Sequence, residues 1–283
     1  MRPLIWMISQ LIAGSILIAA CTPFGIPAFY HPPDGHFEDK EITESSGLVK
    51  SRRFEGIFWT HNDSGHPPRL FAVDRAGRRI GTVDLLGAAN VDWEDIAIDD
   101  AGFLYLCDIG NNWNRREEFT LYRVPEVDPR QARQATVSER HPFRYPALRS
   151  PDAEACFFHQ GALYILTKEP GNGKTGLYRL PLSDPGPPRE LTFLAETDVE
   201  SSVTAADLSA DGARLAVLTY SSVLIFRKPD QGDNYLAGPT CRISIRFGQM
   251  EAIAWDGEDL IITNEESGLL RLEGIPPACL AGS

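Results

Sequence analysis

An internal repeat that occurs five times between residues 45 and 268 constrains the fold more than any other feature of this sequence. Each copy has a short apolar segment, a turn that contains Gly, a second apolar segment and a polar cluster. Such turns between segments rich in β-branched and aromatic residues indicate β-hairpins. Equivalent positions are separated by 48, 60, 50 and 47 residues, and they are Ser46, Glu94, Glu154, Thr204 and Glu251.

Further apolar segments follow most of these hairpins, such as RLFAVD and RIGTVDLL after the first one. Four antiparallel strands that recur about every 50 residues are the pattern of a β-propeller blade. We therefore predict an all-β propeller of five four-stranded blades. Six blades are the alternative, because the interval between Glu94 and Glu154 is long. The last copy lacks a fourth strand, and residues 36–43 are predicted to supply it and close the ring.

The first residues have the pattern of an export signal. Residues 1–21 contain one basic residue, Arg2, before an apolar run, as in a secretory leader. The leader ends in IAAC, which resembles the lipobox of bacterial lipoproteins and implies lipidation at Cys21. The alternative is a plain signal peptide with an incidental cysteine. Residues 22–35 are predicted to form a Pro-rich tether, and residues 36–283 a single propeller domain. We expect a lipid-anchored envelope protein, on the outer membrane and facing the periplasm in a Gram-negative cell.

The charge balance limits the partners of the chain. It has 39 acidic and 27 basic residues, which give a formal net charge of −12. Binding to nucleic acid requires Lys and Arg that neutralise phosphates, and electrostatic binding to anionic lipid has the same requirement. We therefore expect no nucleic-acid partner, and contact with the membrane through the lipid anchor alone.

Four cysteines follow Cys21, and none has the spacing of a zinc ribbon or a redox C-x-x-C pair. Cys107 and Cys156 lie in apolar runs and are expected to be small buried side chains. Cys241 and Cys279 are a candidate disulfide, since exported proteins fold under oxidising conditions.

Three of the equivalent repeat positions are carboxylates: Glu94, Glu154 and Glu251. At the start of innermost strands they would converge on the channel and repel each other unless a cation or protons neutralise them. Oxygen ligands favour Ca²⁺ or Mg²⁺ over transition metals. The alternative is that each Glu is a latch that caps backbone amides of the next blade.

A second set of polar residues follows the second strand of each repeat. Loops at the ends of strands are where propellers bind ligands, so this set is predicted to form a ligand-binding face. Lys168 either holds an anionic substrate group or neutralises Glu154 or Glu169. The candidate ligand-binding residues are Asn62, Asp63, Asp108, Lys168, Asn264 and Glu265.

Residues 44–128 contain the motifs ESSGL, WTHNDSG, LFAVD, GAANVDWEDIA, CDIGNN and LYRVPEVD. Together these resemble a family of exported bacterial propeller lipoproteins of unknown function, which is marked by HNDSG, DWEDIA and DIGDN motifs. More remotely, the layout is similar to the phytase-like and regucalcin/gluconolactonase propellers. Some of those hold a divalent cation in the channel and hydrolyse phosphate esters or lactones. The resemblance implies the fold and a candidate cation site, whereas fold alone does not determine function.

The motif content favours a binding protein over an enzyme. No nucleophile elbow, zinc-protease motif or dinucleotide fingerprint is present in the sequence. We predict a module that binds a small molecule, a glycan or an envelope protein. The alternative is a Ca²⁺-dependent hydrolase of the phytase-like or lactonase type, with Asp63 or Asp108 as general base. A third interpretation is a structural envelope protein without a ligand.

Overall fold

The computed structural model describes most of the chain in five ranges. The predicted leader (1–21) with Cys21, and the first part of the predicted tether (22–28), lie outside the described residues. Among the residues that are described, no helix has the length and apolar character needed to cross a membrane. The described ranges are 29–148, 150–169, 171–182, 185–238 and 240–280.

The described elements are almost all β-strands. Two 3₁₀ turns (Pro146–Leu148 and Tyr235–Ala237) and the short helix α1 (Pro277–Leu280) accompany them. The strands of the first half are β1 (Phe29–Tyr30), β2 (Gly35–His36), β3 (Ser45–Lys50), β4 (Phe58–Asn62), β5 (Arg69–Val73), β6 (Arg79–Leu86), β7 (Trp93–Ile98), β8 (Phe103–Asp108), β9 (Phe119–Pro125), β10 (Gln134–Thr136) and β11 (Glu139–Arg144). Those of the second half are β12 (Asp152–His159), β13 (Ala162–Lys168), β14 (Lys174–Pro181), β15 (Arg189–Glu190), β16 (Thr192–Asp198), β17 (Val203–Leu208), β18 (Arg214–Thr219), β19 (Ser222–Arg227), β20 (Thr240–Arg246), β21 (Met250–Asp256), β22 (Asp259–Asn264) and β23 (Gly268–Leu272).

Five sheets form the blades of a β-propeller, which confirms the predicted fold and the number of blades. The long interval between Glu94 and Glu154 contains the short strand β10 and no sixth blade. Blade 1 consists of β3–β6, blade 2 of β7–β9 and β11, blade 3 of β12–β14 and β16, blade 4 of β17–β20, and blade 5 of β21–β23 and β2.

The N-terminal strand β2 closes the ring, as predicted. It pairs antiparallel with β23, with Gly35 opposite Leu269 and His36 opposite Gly268. Of the predicted segment 36–43 only His36 belongs to β2, and Gly35 lies before that segment. Phe37 and Ile42 then turn inward and pack in the apolar cluster between blades 5 and 1.

Three blades carry an additional outer strand that the repeat pattern does not predict. The strand β10 pairs in parallel with β6, β15 with β11, and β1 with β20. Each covers the outer edge of a blade, where unpaired backbone groups would otherwise be available to another chain.

The apolar core is divided among the interfaces between neighbouring blades. Each of five clusters joins two adjacent blades, and the cluster between blades 1 and 2 contains the fully buried Trp59 and Trp93. The innermost strands are covered on both faces, so β7 is buried at every position and shows no alternation. This packing holds the starts of the innermost strands in a fixed ring.

Two disulfides connect the four described cysteines. Cys241 on β20 is bonded to Cys279 on α1, which confirms the candidate pair. Cys107 on β8 is bonded to Cys156 on β12 of the next blade, so the expectation that these two are unpaired is wrong. Both are fully buried, as expected. Their apolar neighbours belong to the cluster between blades 2 and 3, and this shared interface is what brings the two sulfurs together.

Candidate functional site

One end of the central channel holds a cavity of about 210 Å³, where the first residues of the innermost strands meet. We call it the acidic cavity, because its described lining includes six carboxylates and Lys168 as the only basic residue. The lining residues are Glu44, Ser45, Ser46, Asp63, Glu94, Asn112, Glu154, Lys168, Tyr220, Gln249, Glu251 and Glu265.

A β-bulge lies at the same point of every innermost strand. The pairing with the second strand of the blade shifts there by one residue. The extra residue is left unpaired, and its side chain points in a different direction from that in a regular strand. In this way Glu94, Glu154 and Glu251 line the acidic cavity, although they are only 3%, 4% and 9% exposed. The five bulge residues are Ser46, Glu94, Glu154, Thr204 and Glu251.

The charge of Glu154 is paired within the cavity. Lys168 Nζ lies 2.8 Å from Glu154 Oε1 and 5.6 Å from the centre of the Tyr220 ring. Burial alone would lower the pKa of Lys168, but the Glu154 charge and hydrogen bond outweigh it and raise this pKa. Lys168 therefore carries its proton at neutral pH and neutralises part of the cavity.

Glu251 shares a hydrogen-bond donor with Glu265. Gln249 Nε2 donates to Glu251 Oε1 at 2.8 Å and to Glu265 Oε1 at 2.5 Å. Burial raises the pKa of Glu251 to about 7, against the opposing effects of Gln249 and Lys168. This carboxyl thus changes its charge near neutral pH.

The densest carboxylate group joins blades 1 and 2. Asp63, Asp92 and Glu94 each offer an oxygen, and these oxygens lie within 4.8 Å of one another. Burial, followed by the charge of Asp63, raises the pKa of Asp92 to about 6. Burial and the charge of Glu154 raise the pKa of Glu94 well above its ordinary value. The site residues predicted from the sequence include Asp63 and Glu94 but not Asp92.

Hydrogen bonds to the backbone carbonyls of Asp63 and Asp92 hold this group together. Asn90 Nδ2 donates to the carbonyl of Asp63 at 2.7 Å, and the amides of Ile109 and Gly110 donate to the carbonyl of Asp92 at 3.1 Å. A Cβ atom on Gly110 would lie 2.1 Å from Glu94 Oε1 and 2.5 Å from Asp92 Oδ2. Only glycine at position 110 leaves room for both carboxylates.

The second predicted set divides between the cavity and the scaffold. Asp63, Lys168 and Glu265 line the acidic cavity, whereas Asn62, Asp108 and Asn264 do not. The Asn62 side chain accepts hydrogen bonds from the amides of Thr43 and Glu44, and donates to the Glu41 carbonyl. Asn264 Oδ1 accepts from the Gly268 amide at 2.7 Å. Both asparagines brace loops around the cavity.

Asp108 supports the loop that carries Asp92. It is buried, lies 2.8 Å from the Arg116 guanidinium and accepts a hydrogen bond from the Asp92 amide at 3.1 Å. Burial raises its pKa against the opposing charge of Arg116. With both partners in place, Asp108 fixes the position of Asp92 and does not face the cavity as a base.

Two carboxylates of the innermost strands latch the blades together. Asp95 is fully buried, and its Oδ2 accepts hydrogen bonds from the Cys156 amide of blade 3 at 2.8 Å and the Ala206 amide of blade 4 at 3.3 Å. Asp207 accepts from the Trp255 amide of blade 5 at 2.8 Å. Within the described part of the chain, no backbone amide donates to the side chains of Glu94, Glu154 or Glu251. Asp95 and Asp207 therefore make the latches, and the bulge glutamates remain directed at the cavity.

The fold and the site define a five-bladed β-propeller with an acidic cavity at one end of its channel. No protein-family model matches this chain, and no curated protein matches it either.

Several solved structures are similar to the chain. A gluconolactonase from Xanthomonas campestris has 16% sequence identity and a TM-score of 0.44, with 85% of this chain and 77% of that chain covered. An essential surface component of the type-IX secretion system of Porphyromonas gingivalis has 14% identity and a TM-score of 0.39, with 83% and 26% covered. A chain of the mitotic checkpoint complex has 13% identity and a TM-score of 0.39, with 80% and 60% covered. At these values the similarities identify no shared activity or ligand.

Proposed function

We propose that this protein is an envelope binding module whose acidic cavity binds a divalent cation through Asp63, Asp92 and Glu94. The observation that carries the proposal is that these three carboxylates bring oxygens within 4.8 Å of one another at the acidic cavity, which Asp63 and Glu94 line. Three ionised carboxylates at such distances repel strongly unless a cation or protons compensate them. An oxygen-only donor set of this kind fits Ca²⁺, or Mg²⁺ with several waters retained.

The contacts of Glu154 and Glu251 indicate where in the cavity the ion would bind. Our sequence-based hypothesis placed it among Glu94, Glu154 and Glu251. Glu154 is already paired with Lys168, and Glu251 accepts a hydrogen bond from Gln249. Glu94 therefore contributes to an ion site that is displaced from the channel axis toward blades 1 and 2. The rest of the cavity, which includes Tyr220, is left for a small polar ligand or for a projecting group of a glycan or protein partner.

The proposed location is the cell envelope, with the chain anchored through Cys21. The leader and its lipobox-like IAAC ending support this proposal. The two disulfides support it independently, because such bonds are typical of proteins that fold in an oxidising compartment.

Thermal unfolding tests the cation site directly. The purified protein is stripped with EDTA and then measured with Ca²⁺, with Mg²⁺ or with neither ion. A cation that binds only the folded protein raises Tm by mass action, and we expect about 5 °C at an ion concentration 100 times Kd. The increase should disappear in Asp92→Asn, which keeps the shape of the side chain and removes its charge.

Asp100→Asn is the matched control, since Asp100 is an exposed carboxylate in the turn that follows the innermost strand of blade 2. It should retain the full increase. If no divalent ion raises Tm, or if Asp92→Asn responds as strongly as Asp100→Asn, the cation site is disproved.

A second candidate function is a cation-dependent hydrolase in the same cavity. The observation that favours it is the carboxyl of Glu251, whose pKa of about 7 suits proton transfer near neutral pH. A bound cation would polarise a carbonyl or phosphoryl oxygen. Asp63 lines the cavity and remains a candidate base, whereas Asp108 is held by Arg116. The acidic lining favours a neutral lactone or ester over a phosphate ester.

Hydrolysis of simple lactones and esters with Ca²⁺ present distinguishes the two functions. A hydrolase should show a Ca²⁺-dependent rate that is lost in Asp63→Asn and falls in Glu251→Gln. A binding module should show a Tm increase with Ca²⁺ and no turnover above the rate without protein.

A further inference from the structure

The opposite end of the channel contains a second cavity with a different chemistry. It has a volume of about 300 Å³, and the last residues of the innermost strands of blades 1, 2, 4 and 5 surround it. We call it the apolar cavity. Its lining residues are Val49, Lys50, Ser51, Arg52, Ile98, Asp207, Leu208, Ala210, Trp255 and Gly257.

The two cavities are separate. None of the described residues lines both of them. Between them the Asp95 carboxylate reaches the amides of Cys156 and Ala206 on blades 3 and 4. Gly47 also packs tightly there, since a Cβ atom on it would lie 2.9 Å from the Ile96 amide nitrogen. A ligand in the apolar cavity is thus recognised by that cavity alone.

The walls of the apolar cavity are suited to an apolar molecular body. Val49, Ile98, Leu208 and Trp255 form them, and the Trp255 indole is fixed by donation of its Nε1 hydrogen to the Asp207 carbonyl at 3.1 Å. Such walls favour a ligand that removes its own apolar surface from water.

The lining of this cavity includes two cations, Lys50 and Arg52, and they differ in their contacts. Lys50 Nζ is 2.6 Å from Asp256 Oδ1, and the Asp207 carboxylate accepts from the Trp255 amide. Arg52 is exposed and donates a long hydrogen bond of 3.5 Å to the Ala210 carbonyl. Among the described residues, no carboxylate forms an ion pair with the Arg52 guanidinium. The nearby charge of Arg52 acts on the buried Asp207 carboxylate, where it opposes the larger effect of burial on the pKa. The guanidinium itself remains able to form a bidentate pair with an anion.

We propose that the apolar cavity binds a small organic anion, with its apolar body against Trp255 and Leu208 and its carboxylate or sulfonate on Arg52. The cavity lies outside the acidic cavity, so this site is independent of the proposed cation site. A neutral or cationic molecule of the same shape makes the same apolar contacts but has no anionic group to pair with the Arg52 guanidinium.

The test is isothermal titration of the purified protein with 2-naphthoate and with 2-naphthylmethylammonium, which share an apolar body and differ in charge. We expect 2-naphthoate to bind, and the cation to bind at least about tenfold more weakly. Arg52→Gln should weaken 2-naphthoate by about tenfold. Arg130→Gln, at an exposed arginine remote from the cavity, should leave the affinity unchanged.

A variant that fills the cavity separates this site from binding elsewhere. Ala210 is an exposed turn residue on the cavity wall, so Ala210→Tyr should fold normally and obstruct the cavity. We expect it to abolish 2-naphthoate binding while the thermal unfolding profile stays the same. The proposal is overturned if 2-naphthoate does not bind, if both naphthyl probes bind equally, or if neither Arg52→Gln nor Ala210→Tyr weakens binding.

Discussion

The two ends of the channel are formed by the same innermost strands and yet differ in almost every property. At the first end each strand has a bulge, and four of the five bulge side chains line the acidic cavity, three of them glutamates. At the second end the strands finish without a register shift, and Val49, Ile98 and Leu208 face the opening. A local irregularity of the backbone, repeated five times, therefore makes one end polar. Regular pairing leaves the other end apolar.

Substitution of Asp95, which lies between the two cavities, should have the largest effect on the stability of the protein. Asp95→Ala leaves the amides of Ile96, Cys156 and Ala206 buried without their acceptor. We expect the free energy of unfolding to fall by about 3–5 kcal/mol, measured by denaturant titration. Asp95→Asn keeps an acceptor oxygen and should cost less. Glu55→Ala, at an exposed carboxylate, should change stability by less than about 0.5 kcal/mol. A loss below about 1 kcal/mol in Asp95→Ala would show that the latch is dispensable.

A change confined to the acidic end should affect cation binding without affecting the apolar end. The Cβ atom of Gly110→Ala would occupy the space of the Glu94 and Asp92 carboxylates. We expect Ca²⁺ affinity to fall by about 100-fold, comparable to the loss of support for a metal ligand. Binding of 2-naphthoate should stay as in the unaltered protein, and titration of both ligands checks this. Equal weakening of the two would mean that the ends are coupled.

The pH dependence of stability should give the smallest effect. Glu251 and Asp92 have folded-state pKa values of about 7 and about 6, both raised by burial. A raised carboxyl pKa means that the folded state binds protons more tightly, so its contribution to stability is lost as pH rises through these values. Without divalent ions, Tm should rise by a few degrees when the pH is lowered from about 8.5 to about 5.5. Saturating Ca²⁺ favours the ionised carboxylates and should therefore reduce or reverse the change of Tm with pH. A Tm that is independent of pH without the ion would contradict the assigned pKa shifts.

The repeat contains enough information to predict the blades, because turns that contain Gly between short apolar segments are local signals. The missing fourth strand of the last copy in turn predicts the closing strand. It also identifies Glu94, Glu154 and Glu251 as equivalent positions, and all three line one cavity. Comparison of the repeats does not indicate Asp92, since it lies in the loop before the repeated segment and reaches Asp63 only when the loops of two blades pack together. The bond between Cys107 and Cys156 depends in the same way on packing between blades.

The apolar cavity has no comparable signal in the sequence. Val49, Ile98, Leu208 and Trp255 are indistinguishable there from other core residues of the same strands. Their position at an opening depends on where each strand ends relative to its neighbours, and that relation exists only in the closed ring.

The pairing between β2 and β23 also bears on how the protein folds. It joins Gly35 to Leu269, so nearly the whole propeller lies between the two partners in sequence. Contacts so distant along the chain slow folding, because the entropy of closing the loop is lost before the contact forms. During synthesis or export, blade 5 remains three-stranded until residues near 268 have joined residue 36. Until that moment β23 keeps an open edge, and this edge is where a chaperone, or a second chain, could pair with the unfinished ring.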